Sequence, residues 1–232
     1  MTGGSRGLGL QGYRVLTNAP HRGSVRLDLA SPQATHRIIA ETLNSVDLQQ
    51  VDDLLVVSNA ATLEPLGPTH RKTAESIVAN LNTNFVSPVI FLSDVVGCFR
   101  TIACRKVLAN VSAGAARRSL FGWSLYCAAK VAMENFIQSL AIEQQGEAHP
   151  FIPVNVDPGP IDTGIHLIAS AASSADFPAG SRFTARREAG QLNPPAEIAK
   201  AIVRILLSPS LMPAGHYDAR DVKVSRTGTV ED

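Results

Sequence analysis

Short apolar runs separated by longer helical segments constrain this chain more than any other feature. Asp53-Leu54-Leu55-Val56-Val57-Ser58, Lys106-Val107-Leu108-Ala109-Asn110-Val111-Ser112 and Phe151-Ile152-Pro153-Val154-Asn155-Val156 place apolar side chains at successive positions. That is the pattern of a strand buried on both faces. Ser31 followed by Pro32 reads as an N-cap with proline at the first helical position, opening a helix that runs to about Leu43. Further helices are expected over Ala74 to Cys98, Trp123 to Gln145 and Pro195 to Leu207. Strands that alternate with helices predict an α/β fold: a doubly wound parallel sheet, Rossmann-like, with right-handed crossovers. A single domain over residues 1–232 is expected. Such sheets bind ligands beyond the carboxyl ends of their strands. The three runs end in Ser58-Asn59-Ala60-Ala61, Ser112-Ala113-Gly114 and Asp157-Pro158-Gly159-Pro160. Function is expected at those ends.

Charge and composition exclude several classes. The net charge is +1, from 21 basic and 20 acidic residues, so no nucleic-acid partner is expected. No apolar run approaches the roughly 18 residues of a membrane span, so no membrane partner is expected. Met1-Thr2-Gly3-Gly4-Ser5-Arg6 lacks the apolar core of a signal peptide. The three cysteines, Cys98, Cys104 and Cys127, have no metal-ligand spacing, so reduced thiols, a cytoplasmic location and no metal are expected. Residues 169 to 190, rich in Ala, Ser, Gly and Arg, read as a surface excursion.

Tyr126 and Lys130 stand four apart within the third expected helix, hence on one face about one turn apart. A free phenol titrates near 10 and transfers protons poorly at neutral pH. An adjacent ammonium favours the phenolate and is expected to lower that value, suiting the pair to proton transfer at a carbonyl or alcohol.

Around this pair the residues resemble, in order, the motifs of the short-chain dehydrogenases/reductases. Thr2-Gly3-Gly4-Ser5-Arg6-Gly7-Leu8-Gly9 resembles the family's glycine motif, and Asp28 its adenine-contacting acid. Asn59-Ala60-Ala61 resembles the Asn-Ala-Gly turn, and Asn84 the helix asparagine that holds a proton-relay water. Tyr126 and Lys130 match the catalytic pair, and Pro158-Gly159-Pro160-Ile161-Asp162-Thr163 the segment that closes over the nicotinamide carboxamide. Leu63-Glu64-Pro65, Gly122-Trp123-Ser124 and Gly215-His216-Tyr217-Asp218 resemble the branch of sepiapterin and benzil reductases.

The resemblance implies NADPH-dependent reduction of a small ketone or 1,2-dicarbonyl, with no metal, by a homo-oligomer. Tyr126 is the implied proton donor, Lys130 lowers its pKa and holds the nicotinamide ribose, and Asn84 anchors the water relay. Gly3, Gly7, Leu8 and Gly9 would cradle the pyrophosphate, and Arg6 would meet a ribose 2′-phosphate. Asp28, Asn59, Ile161 and Thr163 complete the implied cofactor contacts. Trp123, Phe121 and a substrate loop over about 164 to 195 would line the substrate pocket, and Asp218 or Asp221 would reach it from the carboxyl end.

Two departures stand out. The family's carbonyl-polarising serine belongs thirteen residues before the tyrosine, where this chain has Ala113. Ser112 is the candidate replacement, although alternate strand residues face opposite ways. The apparent next strand, Tyr13-Arg14-Val15-Leu16, follows Gly9 too closely for a crossover, which needs about a dozen residues. The first strand and first crossover helix are therefore expected to be missing. These departures support an alternative: a non-catalytic or merely nucleotide-binding relative.

Overall fold

The structure is a computed structural model that describes residues 1–3, 8, 9, 11, 25–46 and 51–222. Arg6, Gly7 and the expected strand at residues 13–16 lie outside the described residues, as does the expected missing crossover.

Helix α1 (Pro32–Asn44) precedes strand β1 (Asp53–Ser58). Helix α2 (Ala74–Leu81) continues through a π-type turn (Asn82–Val86) into α3 (Ser87–Phe99). Then come β2 (Arg105–Val111), α4 (Ser124–Glu143), β3 (Phe151–Asp157), α5 (Gly164–Ala171), α6 (Gly180–Glu188), α7 (Pro195–Leu207) and β4 (His216–Asp218). The strands form one sheet in the order β1-β2-β3-β4. All three pairings are parallel. Sequence order equals spatial order because each helix carries the chain back to start the next strand one place along. The expected α/β doubly wound sheet is present.

Alternating side chains divide the core into two layers. Val57, Val107, Ala109, Val111, Val154 and Val156 face α7 through Ile198, Ile202 and Leu206. Val56, Leu108 and Phe151 face the other way, onto Ile39 of α1, Phe91 and Val95 of α3, and Met133 and Ile137 of α4. The stretch Ala74–Phe99 is, by length and mean hydropathy of 1.2, long and apolar enough to cross a membrane. This corrects the reading of the sequence, which found no such run because asparagines interrupt it. Phe91, Leu92, Val95 and Phe99 of this stretch are buried in the core layer that also holds Val56 and Leu108 of the sheet.

On the side of β1 away from β2, the Thr2 N–H donates to the Val57 carbonyl (2.9 Å). The start of the glycine motif thus lies along the carboxyl end of that strand. Residues 169–190 lie largely at the surface, as expected, and they hold the end of α5 and all of α6, with Phe177 between them only 1% exposed.

Lys106 is fully buried on β2, and its ammonium donates to the carbonyls of Phe99 (3.1 Å), Arg100 (3.2 Å) and Ile102 (2.9 Å). These carbonyls lie at and just beyond the end of α3, where the helix dipole favours a cation and the Phe99 carbonyl has, among the described residues, only the Ile102 N–H (3.2 Å) as a backbone donor. Replacing Lys106 with Met keeps the bulk and strands the carbonyls. The substitution is expected to lower the unfolding free energy in urea by about 2–3 kcal/mol; an unchanged midpoint would refute this account.

Candidate active site

The carboxyl ends of β1, β2 and β3 collect the site residues. At β1, the Thr2 hydroxyl accepts from the backbone N–H groups of Asn59 (2.9 Å) and Ala60 (3.1 Å), and the Asn59 amide donates to the Thr2 carbonyl (3.4 Å). Gly3 has φ +69°, open to glycine at little cost. A Cβ on Gly9 would lie 2.1 Å from the Gly3 carbonyl oxygen, so the glycine turn closes on itself. Leu8 reaches the core beside Val57 and Val111. Asp28 is exposed, and its carboxylate accepts from the Ala30 N–H (3.0 Å), capping the turn into α1.

Helix α4 begins after Gly122, whose φ of +79° and carbonyl bond to the Gly67 N–H (3.0 Å) turn the chain into the helix. Tyr126 and Lys130 therefore share the face of α4 that lies at the end of β2. Both are 5% exposed. The Lys130 ammonium donates to the Val111 carbonyl (2.7 Å) and lies 5.6 Å from the Tyr126 ring centroid. Burial pulls the Lys130 pKa down from 10.5 to about 8, against the opposing pull of Glu134 and Asp157. Burial, reinforced by the negative potential of Cys127 and Asp157, raises the Tyr126 pKa well above 10.0. This corrects the expectation that Lys130 lowers it: in the folded chain desolvation of the phenolate outweighs the ammonium.

Ser112 does not face this pair. Its hydroxyl donates to the Glu134 carboxylate, one turn beyond Lys130 on α4. Ala113, next along, packs in the cluster that contains Tyr126. Strand alternation decides the matter, because consecutive side chains point to opposite sides. The expectation that Ser112 replaces the polarising serine is corrected accordingly. Glu134 also lies 3.5 Å from the His216 imidazole. Arg117 joins His216 to the buried carboxylate of Asp157, which accepts the Gly159 N–H (2.8 Å). This ionic network beneath Lys130 is invisible in sequence, since its members come from four separate segments.

Asn84 is buried in the π-type turn, where the Ser87 N–H reaches the Asn82 carbonyl. Turns of this type often mark functional positions. The Asn84 side chain grips Thr62 from both sides, accepting its N–H (2.9 Å) and donating to its carbonyl (2.9 Å), and donates to Asn80 as well (3.0 Å). Its side-chain bonds thus hold the loop after β1 in place.

Ile161 is 8% exposed and pairs with Asn193 in an isolated parallel bridge. Thr163 occupies the N-cap of α5 without using its hydroxyl as a cap. Over Tyr126 lies an aromatic cluster. Trp123 meets Tyr126 edge-on (centroids 5.6 Å apart), stacks on Phe177 (4.9 Å) and touches Phe183 (5.5 Å). His166 of α5 packs on Phe183 (5.1 Å). Phe121, expected to line this pocket, is 57% exposed and absent from the cluster. Asp218, expected to reach it, is bound to Arg220, while Asp221 is exposed. His166, Phe177 and Phe183 lie within the substrate loop expected over about 164 to 195, but the sequence reading singled out none of them. Nothing in a lone histidine or two phenylalanines in an Ala/Ser-rich stretch marks them; only the folding of α5 and α6 onto Trp123 does.

The buried Lys130 has a measurable consequence. Its folded pKa lies below its unfolded one, so between pH 8 and 10.5 the unfolded chain binds more protons and stability rises with pH. Lys130→Met removes that rise. Chemical denaturation of the two proteins across this range is expected to show the wild type gaining up to about 3 kcal/mol relative to the variant. Parallel curves would contradict the burial of a charged amine here.

The profile of the family described as short chain dehydrogenase matches residues 16–172 of this chain. Benzil reductase ((S)-benzoin forming) of Bacillus cereus is 30% identical over 189 residues, covering 82% of this chain and 76% of that protein. Sepiapterin reductase of Rattus norvegicus is 24% identical over 201 residues, covering 84% of this chain and 74% of that protein. Among solved structures, the closed form of serine dehydrogenase complexed with NADP+ matches with a TM-score of 0.71 at 16% identity, over 99% of this chain and 98% of that one. The profile spans well over half of the chain, and with the parallel sheet it establishes that this protein belongs to the short-chain dehydrogenase/reductase family.

Proposed function

We propose that this protein is an NADPH-dependent carbonyl reductase that converts a ketone or a 1,2-dicarbonyl to an alcohol, with Tyr126 as proton donor. The observation that carries the reading is the buried Tyr126–Lys130 pair, its amine pinned to the Val111 carbonyl (2.7 Å) at the end of β2. The benzil and sepiapterin reductase likenesses support the carbonyl substrate, and the NADP+-bound structural match supports the cofactor.

The residues present fit a dinucleotide. The glycine turn of Gly3 and Gly9 sits at the end of β1, beside Leu8 and Asn59. The Thr163 hydroxyl makes no capping bond, and Lys130 uses one of its three N–H bonds on Val111, leaving two for ribose hydroxyls. Gly3, Gly7, Leu8 and Gly9 would hold the pyrophosphate, Arg6 a 2′-phosphate, Asp28 the adenine, and Asn59, Ile161 and Thr163 the ribose and carboxamide. The bound dinucleotide supplies the hydride.

Tyr126 then contributes a proton. A phenol whose pKa is held above 10.0 by burial stays protonated at neutral pH and suits donation to a developing alkoxide. Glu134 and Asp157 favour the charged form of Lys130, whose positive charge stabilises the phenolate left behind. Asn84, by clamping the loop after β1, would position the relay that returns a proton to Tyr126. The three cysteines are free, in keeping with a reducing, cytoplasmic setting. Exposed Val78, Val131 and Ile142 on α2 and α4 support a homo-oligomer packed through these helices.

One observation favours a second reading, a catalytically impaired relative. Ala113 packs where a polarising hydroxyl is needed, and Ser112 is committed to Glu134. NADPH oxidation followed at 340 nm with benzil decides between the two readings. Turnover is expected, and Tyr126→Phe is expected to abolish it. Ala113→Ser is expected to raise kcat by about 10²–10³, the usual worth of one such donor. Absence of turnover in both the wild type and Ala113→Ser would favour the impaired relative.

A further inference from the structure

His166 and Trp123 bury polar groups that no described residue satisfies. His166 is 4% exposed and both of its ring nitrogens lack a partner; Trp123 is 6% exposed and its indole N–H lacks one. Buried polar groups are almost always paired, and leaving one unpaired is unfavourable. Three such atoms around one aromatic cluster form a concentration that demands a cause.

Their location supplies one. Trp123 is three residues before Tyr126 and meets its ring edge-on, 5.6 Å between centroids. His166 and Trp123 both pack on Phe183, at 5.1 and 5.5 Å. The side chains that carry the unpaired atoms therefore pack in one aromatic enclosure with the phenol. Burial, with Arg186 adding to it, favours the uncharged imidazole of His166. A neutral ring carries one N–H donor and one acceptor. Together with the indole N–H, the enclosure offers two donors and one acceptor, with no charged group among its unpaired atoms.

We propose that the His166 imidazole and the Trp123 indole N–H form a second oxygen-binding point beside Tyr126, which selects 1,2-dicarbonyls over simple ketones. One carbonyl would sit at Tyr126, and the adjacent carbonyl oxygen would accept from the two orphaned donors. A carbonyl oxygen has two lone pairs and can take both. Phe177 and Phe183 make the surrounding wall apolar, which suits alkyl or aryl substituents on the two carbonyls. Trp123 and Phe177 are stacked at 4.9 Å, so a dicarbonyl would have to part these two rings to reach the orphaned donors. The inference rests on the carbonyl-reductase reading for its substrate class, and it assigns specificity to residues outside the Tyr–Lys pair.

The test compares benzil with deoxybenzoin, which keeps both aryl groups and one carbonyl and replaces the other carbonyl by CH2. The proteins are the wild type, His166→Leu, His166→Gln and Trp123→Phe, each checked for folding by its thermal transition. The ratio of kcat/KM for benzil to that for deoxybenzoin is expected to fall about 10- to 100-fold in His166→Leu, the worth of a lost buried hydrogen bond. His166→Gln, which keeps a donor and an acceptor, is expected to recover most of the ratio, and Trp123→Phe to lower it. A ratio equal to that of the wild type in His166→Leu overturns the proposal. So does His166→Gln behaving as His166→Leu, because the role is then only packing.

Ligand-observed NMR titration of the same two compounds gives a readout that needs no turnover. If the wild type reduces no carbonyl compound, the reductase reading fails alone. Benzil bound more tightly than deoxybenzoin by the wild type, with the preference lost in His166→Leu, then still supports the oxygen-binding point. Equal binding of the two compounds, or binding of neither, overturns it.

Discussion

The bond from the Lys130 ammonium to the Val111 carbonyl (2.7 Å) ties helix α4 to the carboxyl end of β2, and the candidate site depends on it. It fixes the rotation of α4. Tyr126, one turn earlier, is thereby held under the aromatic cluster, and Glu134, one turn later, is brought to Ser112 and His216. A charged amine can be buried only where acceptors and carboxylates surround it. Val111, Glu134 and Asp157 meet that need, and all come from segments that converge at one end of the sheet.

Burial governs the electrostatics of the pair more than proximity does. Spacing alone predicts an ammonium lowering a phenol's pKa. In the folded protein both groups are withdrawn from water, and desolvation disfavours the charged form of each. The phenol moves up and the amine moves down to about 8. The two shifts have one cause and opposite signs because one group is neutral when protonated and the other is charged. A protonated phenol beside a cation is the state a reductase needs at the start of proton donation.

Much of the architecture was legible in the residues. Asp53–Ser58 and Pro195–Leu207 form the elements expected of them, because uninterrupted apolar runs and a proline-led helix leave few alternatives. The long helix expected from Ala74 forms, and a π-type turn at Asn82–Val86 is set within it, where asparagine side chains bond to neighbouring loops. The candidate site was legible where its residues share an element, as Tyr126 and Lys130 do. It was not legible where separate segments meet: His166, Phe177 and Phe183 reach Trp123 only through the folding of α5 and α6.

The sequence by itself determined the alternation of strands and helices, the parallel sheet and the four-residue spacing that puts a phenol and an amine on one helix face. These follow from local periodicity, which is a property of neighbouring residues. The tertiary structure alone decided that the partner of Ser112 is Glu134, that burial outweighs the ammonium at the phenol, and that His166 and Trp123 share an enclosure. Desolvation, the choice of partner and polar satisfaction depend on which distant segments pack together, and no local pattern carries that information.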